Sequence, residues 1–157
     1  MYDVGATRKA TIYDLPKIIE IEQKCFQKTS AYTPQQLQYL LIHANSNCLI
    51  YQDNHTVQGF IIVLFRKRTE VAGIETINVD PQFQGKGIGK KLLFAAEDEM
   101  CYRGIRKIRL EVASGNSSAI QLYKKSGFRF TTLLKNYYQY EQHGSHDAIR
   151  MVKELTT

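Results

Sequence analysis

The run Val79-Asp80-Pro81-Gln82-Phe83-Gln84-Gly85-Lys86-Gly87-Ile88-Gly89 constrains this chain more than any other stretch. A strand-like segment ends at Val79, glycines alternate through the turn, and a helical pattern starts near Lys86. The first turn of a helix carries backbone N–H groups with no partner inside the helix, so it suits a phosphate. With no Cβ at Gly85, Gly87 or Gly89, an anion can come close to the main chain. The run therefore predicts an anion site, in the first place for a pyrophosphate. Two familiar phosphate motifs do not fit. A Walker A loop needs Gly where Gln84 stands and Ser or Thr where Lys91 stands. A dinucleotide fingerprint needs Gly-x-Gly-x-x-Gly, and the spacing here is Gly85-x-Gly87-x-Gly89. What fits is Gln84-x-x-Gly87-x-Gly89.

The rest of the chain reads as alternating strands and helices, without repeats or a linker. Thr7–Thr11 is a short strand, and Asp14 stands where it can cap a helix carrying Leu15, Ile18, Ile19, Glu22 and Phe26, with Pro16 in its first turn. Thr33-Pro34 opens a second helix with Leu37, Leu40 and Leu41 on one side. Cys48–Tyr51 and Val57–Phe65 flank the turn Asp53-Asn54-His55, and the second is apolar enough for a central strand. Ile74–Val79 is a fourth strand. Ile88, Leu92, Leu93, Ala96 and Met100 form a helical stripe. Lys107–Val112 alternates as a strand, Ser117–Lys125 is a helix closed by Gly127, and Arg129–Leu134 and Ala148–Val152 are the last strands. The order β-α-α-β-β-β-α-β-α-β-β predicts a mixed α/β sandwich. With 157 residues, residues 1–157 are read as one domain.

Gln84-x-x-Gly87-x-Gly89 resembles the acetyl-CoA signature of the GNAT family of N-acetyltransferases. The stretch Leu110-Glu111-Val112, then Asn116, Ala119-Ile120, Leu122-Tyr123 and Gly127-Phe128 resembles the second half of that family's cofactor site. It is closest in pattern to ribosomal-protein-alanine N-acetyltransferases and archaeal N-terminal acetyltransferases. Asp14-Leu15-Pro16 with Ile21–Phe26 is similar to that subgroup's opening helix, and Asn136-Tyr137-Tyr138 with Asp147-Ala148-Ile149 is similar to its substrate-side hairpin. The resemblance runs from Arg8 to Met151. It implies a GNAT fold: a mixed central sheet of about seven strands flanked by about four helices. It also implies acetyl-CoA as the acetyl donor, bound by Ile77, Asn78, Val79, Gln84, Gly85, Lys86, Gly87, Ile88, Gly89, Lys90 and Asn116.

The chemistry then asks for a base, because a protonated amine has no lone pair. An α-amine loses its proton near pH 8 and a lysine near 10.4, which makes lysine about 3 kcal/mol harder to present neutral. One carboxylate, acting directly or through water, is enough for an N-terminal amine. The resemblance casts Glu111 as that base and Tyr123 as proton donor to the leaving thiolate. Asn116 and Tyr123, seven residues apart, share one helix face. Backbone N–H groups along Ile77–Val79 can polarise the thioester carbonyl. Plainer readings stay open: Glu111 as a solvated carboxylate, Tyr123 as core, Asn116 as a helix cap, and Lys86 and Lys90 as solubilising charges. None of Cys25, Cys48 and Cys101 falls in a motif, so transfer is read as direct, in a ternary complex.

The pattern also departs from its relatives. Where they carry a side chain that positions a water, Gly73 has none. Glu75, two residues on, either supplies a second carboxylate or forms a structural charge pair. Gly115 has no evident consequence. Tyr137, Tyr138 and Tyr140 precede a mobile Gly-Ser segment, and Tyr137 and Tyr138 are read as a wall that grips a peptide or as packing of an edge hairpin. His143 and His146 lack the companions a metal site needs, so no metal is expected.

Composition narrows the setting. The net charge of +6 and pI of about 9.2 favour a phosphate-rich cofactor, a ribosome or a nucleic acid. The one tight basic cluster, Arg66-Lys67-Arg68, is too short to claim nucleic-acid binding. Three scattered cysteines, Met1–Gly5 without a leader pattern, and no apolar run of membrane-spanning length point to a reducing cytoplasm. The expected function is transfer of acetyl from acetyl-CoA to the α-amine of a protein N-terminus, a ribosomal protein among the acceptors. The alternatives are acetylation of a small amine such as a polyamine or amino sugar, or a non-catalytic acetyl-CoA-binding module.

Overall fold

The computed structural model describes residues 5–26 and 30–155; the reading of the extreme N-terminus as leaderless lies largely outside them. The elements in chain order are β1 (Ala6–Lys9), a 3-10 turn (Ile12–Asp14), α1 (Leu15–Cys25), α2 (Pro34–Ile42), β2 (Ser46–Asp53), β3 (Thr56–Phe65), β4 (Val71–Val79), a second 3-10 turn (Pro81–Phe83), α3 (Ile88–Tyr102), β5 (Lys107–Ala113), α4 (Ser117–Lys125), β6 (Arg129–Leu134) and β7 (Ala148–Glu154). The strands form one mixed sheet in the order β1-β2-β3-β4-β5-β7-β6, and only β4 and β5 pair in parallel. The α/β order expected from periodicity is the order found.

Two cores sandwich the sheet. On one face α3 buries Ile88, Leu92, Leu93, Ala96 and Met100, with Tyr123 of α4, against Ile61, Ile108, Leu110 and Met151. On the other, Ile18 and Ile21 of α1 and Leu37 and Leu40 of α2 pack on Ile50, Phe60 and Ile62. Strand β3 feeds both cores, which explains its unbroken apolar run. Phe60 has no exposed surface. Phe60→Ala should cost about 3–5 kcal/mol, read as a lowered denaturant midpoint at constant slope.

Asp14 occupies the N-cap position of α1 as expected, but its side chain makes no capping bond there. It closes the preceding 3-10 turn, its Oδ2 accepting the Thr11 N–H at 2.8 Å, and pairs in two-pronged fashion with Arg8 at 2.8 and 2.9 Å. Those contacts hold its carboxyl below the usual carboxylate range, the Arg8 bonds first. The β2–β3 hairpin turns through Asn54 and His55, both left-handed at φ 48° and 59°. Among the described residues no helix is long and apolar enough to cross a membrane.

Candidate active site

The site exists because two strands part. β4 pairs with β5 from Val71↔Lys107 to Ile74↔Leu110 and no further. Beyond that point β5 continues against β7, Glu111 opposite Arg150, while β4 continues against β3. The parting coincides with a bulge: Val63 faces Ile74 and Ile62 faces Thr76, so Glu75 is the extra residue. Past Ile74, the edge of β4 that faces β5 has no neighbouring strand. Buried backbone N–H and C=O groups need partners, and a ligand lying along Glu75–Val79 can provide them. A cleft of about 560 Å³ opens there, a size suited to an organic cofactor. It runs from the α3–α4 side of the sheet to the α1–α2 side.

At the cofactor end, the Val79–Gly89 run behaves largely as its residues require. Asp80 caps the second 3-10 turn, accepting the Gln82 N–H at 3.0 Å. The Gln84 amide folds back to donate to the Val79 carbonyl at 3.0 Å. Gly85 and Gly87 adopt φ of 82° and 80°, the left-handed region that a side chain disfavours. The helix starts at Ile88 with Gly87 as its N-cap, two residues later than the sequence pattern indicates. Gly89 differs from its neighbours: its φ is not positive, and a Cβ there would make only ordinary contact with Leu122 Cδ2 at 3.4 Å. Ile77, Asn78, Val79, Gln84, Gly85, Gly87, Ile88, Gly89 and Asn116 all line the cleft. Lys86 and Lys90 do not; their ammonium groups lie over the rings of Phe83 and Phe94, at 5.4 and 5.6 Å. Asn116 caps α4 through Oδ1, accepting the Ala119 N–H at 3.3 Å, so its amide NH₂ is what it can offer a ligand.

Glu111 and Tyr123 enter the same cleft from β5 and α4. Tyr123 is buried, its ring edge-on to Phe128 at 5.6 Å, and burial pushes its phenol pKa up. It stays protonated near neutral pH, as a proton donor must. Glu111 is not a free carboxylate. Arg150 donates to its Oε1 at 3.1 and 3.3 Å, and Arg109 approaches the same oxygen at 3.6 Å. Tyr138 lines the cleft, and burial pushes its phenol up to about 12. Tyr137 stacks edge-on to it at 5.0 Å but stands half exposed outside the cleft. Among the described residues Glu75 meets no cation; its carboxylate accepts the hydroxyl of Tyr32.

Three features escaped the sequence reading. Cys25 borders the cleft although no motif marks it. Its thiol donates to the Val79 carbonyl at 3.2 Å, and burial pushes its pKa up to about 11, so it is a thiol rather than a thiolate nucleophile. Glu22 and Tyr32 form the wall on the α1–α2 side. The signal for Glu22 was its place on the apolar face of its helix. Gly115 matters more than its neighbours indicated, because a Cβ there would collide with the His143 carbonyl. That contact, the Ser114–Ser145 hydroxyl bond at 2.9 Å, and the Tyr138 N–H to His146 carbonyl bond at 2.9 Å tie down the loop that the sequence reads as mobile. Gln142 and His143 of this loop cover the cleft. Gly115→Val should displace them and lower acceptor kcat/KM by up to about 10²-fold, and the thermal midpoint should fall as well, because the clash is with backbone.

The same architecture recurs in known proteins. A crystal structure of the ribosomal-protein-S18-alanine N-acetyltransferase from Escherichia coli superposes with a TM-score of 0.87 at 27% identity, covering 98% of this chain and 96% of that one. A ribosomal protein bS18-alanine N-acetyltransferase of Salmonella typhimurium is 44% identical over 85 residues, 54% of this chain and only 57% of that protein. The Haemophilus ducreyi protein of the same name is 30% identical over 146 residues, covering 90% and 94%. Parted strands, a glycine-lined helix start and this likeness together define the class of fold. The sequence profile described as "Acetyltransferase (GNAT) family" matches residues 15–128, and the chain belongs to that family.

Proposed function

We propose that residues 1–157 act as one catalytic domain that moves the acetyl group of acetyl-CoA to the α-amine of a protein N-terminus, a ribosomal protein being the leading acceptor class. One observation carries the reading: Glu111, Tyr123 and Gly85, Gly87, Ile88 and Gly89 at the helix start line one continuous cleft. The pyrophosphate lies at the N-terminus of α3, where unpaired N–H groups and the helix dipole favour an anion. The pantetheine arm runs along the free edge of β4, and backbone N–H groups of Ile77–Val79 polarise the thioester carbonyl. Glu111 takes a proton from the amine, which attacks the carbonyl carbon directly. Tyr123 protonates the departing sulfur. The protonated Cys25 supports direct transfer over an acyl-enzyme. Tyr137, Tyr138 and Glu75 receive the peptide from the open side, and the cell compartment is the cytoplasm.

Release of CoA thiol tests this. Acetyl-CoA with a free-N-terminal peptide should yield thiol, in an intersecting two-substrate pattern. Thiol from a polyamine but no peptide moves the assignment to small amines. Tight acetyl-CoA binding with no thiol from any acceptor marks a binding module.

A further inference from the structure

Helix α1 buries three residues on its inner face, Ile18, Ile21 and Glu22, and the third is a carboxylate where the spacing calls for an apolar side chain. Glu22 is 1% exposed to bulk solvent yet forms part of the cleft wall. Its Oε1 accepts from the Asn78 amide at 2.8 Å and its Oε2 from the Tyr32 backbone N–H at 3.1 Å. Asn78 is itself held by Thr76 at 3.0 Å. Both donors to Glu22 are neutral, and among the described residues no Lys or Arg pairs with it. The titratable groups around it are the Cys25 thiol on its own helix, the Tyr32 phenol bonded to Glu75, Asp80 paired with Lys24 at 3.4 Å beyond the end of β4, and Glu111, Tyr123, Tyr138 and His143 lining the same cleft. Burial without a cation favours the protonated acid, and the Glu22 carboxyl is pushed up to about 7. A group poised there exchanges protons efficiently near neutral pH.

We propose that Glu22 is a second proton acceptor of the transfer site, reached by the acceptor amine from the α1–α2 side before it meets the thioester. The step rests on the N-acetyltransferase reading above. An ammonium loses two protons on becoming an amide. Glu22 takes the first and passes it to solvent. The neutral amine then forms the C–N bond, and the C–S bond breaks. Tyr123 gives its proton to the sulfur, and the second nitrogen proton, taken by Glu111, restores the Tyr123 phenol. Ammonium and acetyl-CoA thus yield amide, CoA thiol and one released proton.

The test is the pH dependence of kcat at saturating substrates for wild type, Glu22→Gln, Asn78→Ala and Glu111→Gln, with calorimetric acetyl-CoA affinity confirming that each variant is folded. Below about pH 7 wild-type Glu22 holds a proton and cannot accept another, so kcat should fall with an acid limb near that value. Glu22→Gln should lose that limb and about 10²-fold of the plateau. Asn78→Ala removes a bond to the ionised form, so its limb should move to higher pH. Glu111→Gln should lower kcat with the limb in place. An acid limb of unchanged position in Glu22→Gln overturns the proposal. So does a Glu22 carboxyl, followed by carbon NMR and assigned by its loss in Glu22→Gln, that titrates like an ordinary glutamate. That second reading needs no acceptor, so it separates failure of Glu22 from failure of the peptide-acceptor assignment.

Discussion

Tyr123→Phe is expected to bind acetyl-CoA as the wild type does and to turn over about 10²-fold more slowly. The substitution removes one oxygen from a side chain that is 5% exposed and packed edge-on against Phe128. Phenylalanine keeps the ring, the packing and α4, so the change isolates the O–H group. Burial raises the proton affinity of the phenol, so near neutral pH the O–H is present to be given to a leaving thiolate. Without it the sulfur departs as an unprotonated anion, and the barrier rises. Steady-state turnover and calorimetry, run side by side, check this. Turnover equal to wild type would return Tyr123 to the core.

Glu111→Gln should have a comparable effect on turnover, about 10²-fold, with acetyl-CoA affinity little changed. The carboxylate lies between Arg150 and Arg109, whose side chains are about a third exposed. An amide there leaves two guanidinium groups without their counter-charge. Their access to water softens that loss, so stability should fall by about 1 kcal/mol or less. The chemical loss is larger, because an amide cannot take a proton from nitrogen. Unfolding and turnover measured on the same preparation separate the two. Unchanged turnover would remove Glu111 from the mechanism.

The element order was legible because it rests on local periodicity. The stripe Ile88-Leu92-Leu93-Ala96-Met100 and the apolar run of β3 admit few other readings. The glycine run was legible for the same reason: two of its members need a positive φ, which is a property of the chain at that point. What escaped depends on docking between distant elements. Asp14 looks like a cap for α1 until Arg8 is laid beside it by β1. Gly115 is unremarkable until the β6–β7 loop comes down on it. The resemblance implies Lys86 and Lys90 as cofactor ligands, and solubilising charge is the plainer reading; their ammonium groups lie over nearby rings, which spacing alone does not show. The Glu75 bulge and the parting of β4 from β5 follow from strand pairing and leave no local mark. Glu22 left a faint one, a charge on an apolar helix face, and its meaning came only with Asn78 and Tyr32 beside it.

Under the proposed function the acetyl group passes to a protein α-amine. The most direct test is mass spectrometry of a short-peptide library after incubation with acetyl-CoA. Half the peptides carry free N-termini, half are blocked, and all contain an internal lysine. The proposed function predicts acetylation of free N-termini alone, with the preferred first residues defining specificity. Acetyl-lysine in the blocked peptides, with the free N-termini untouched, would contradict it.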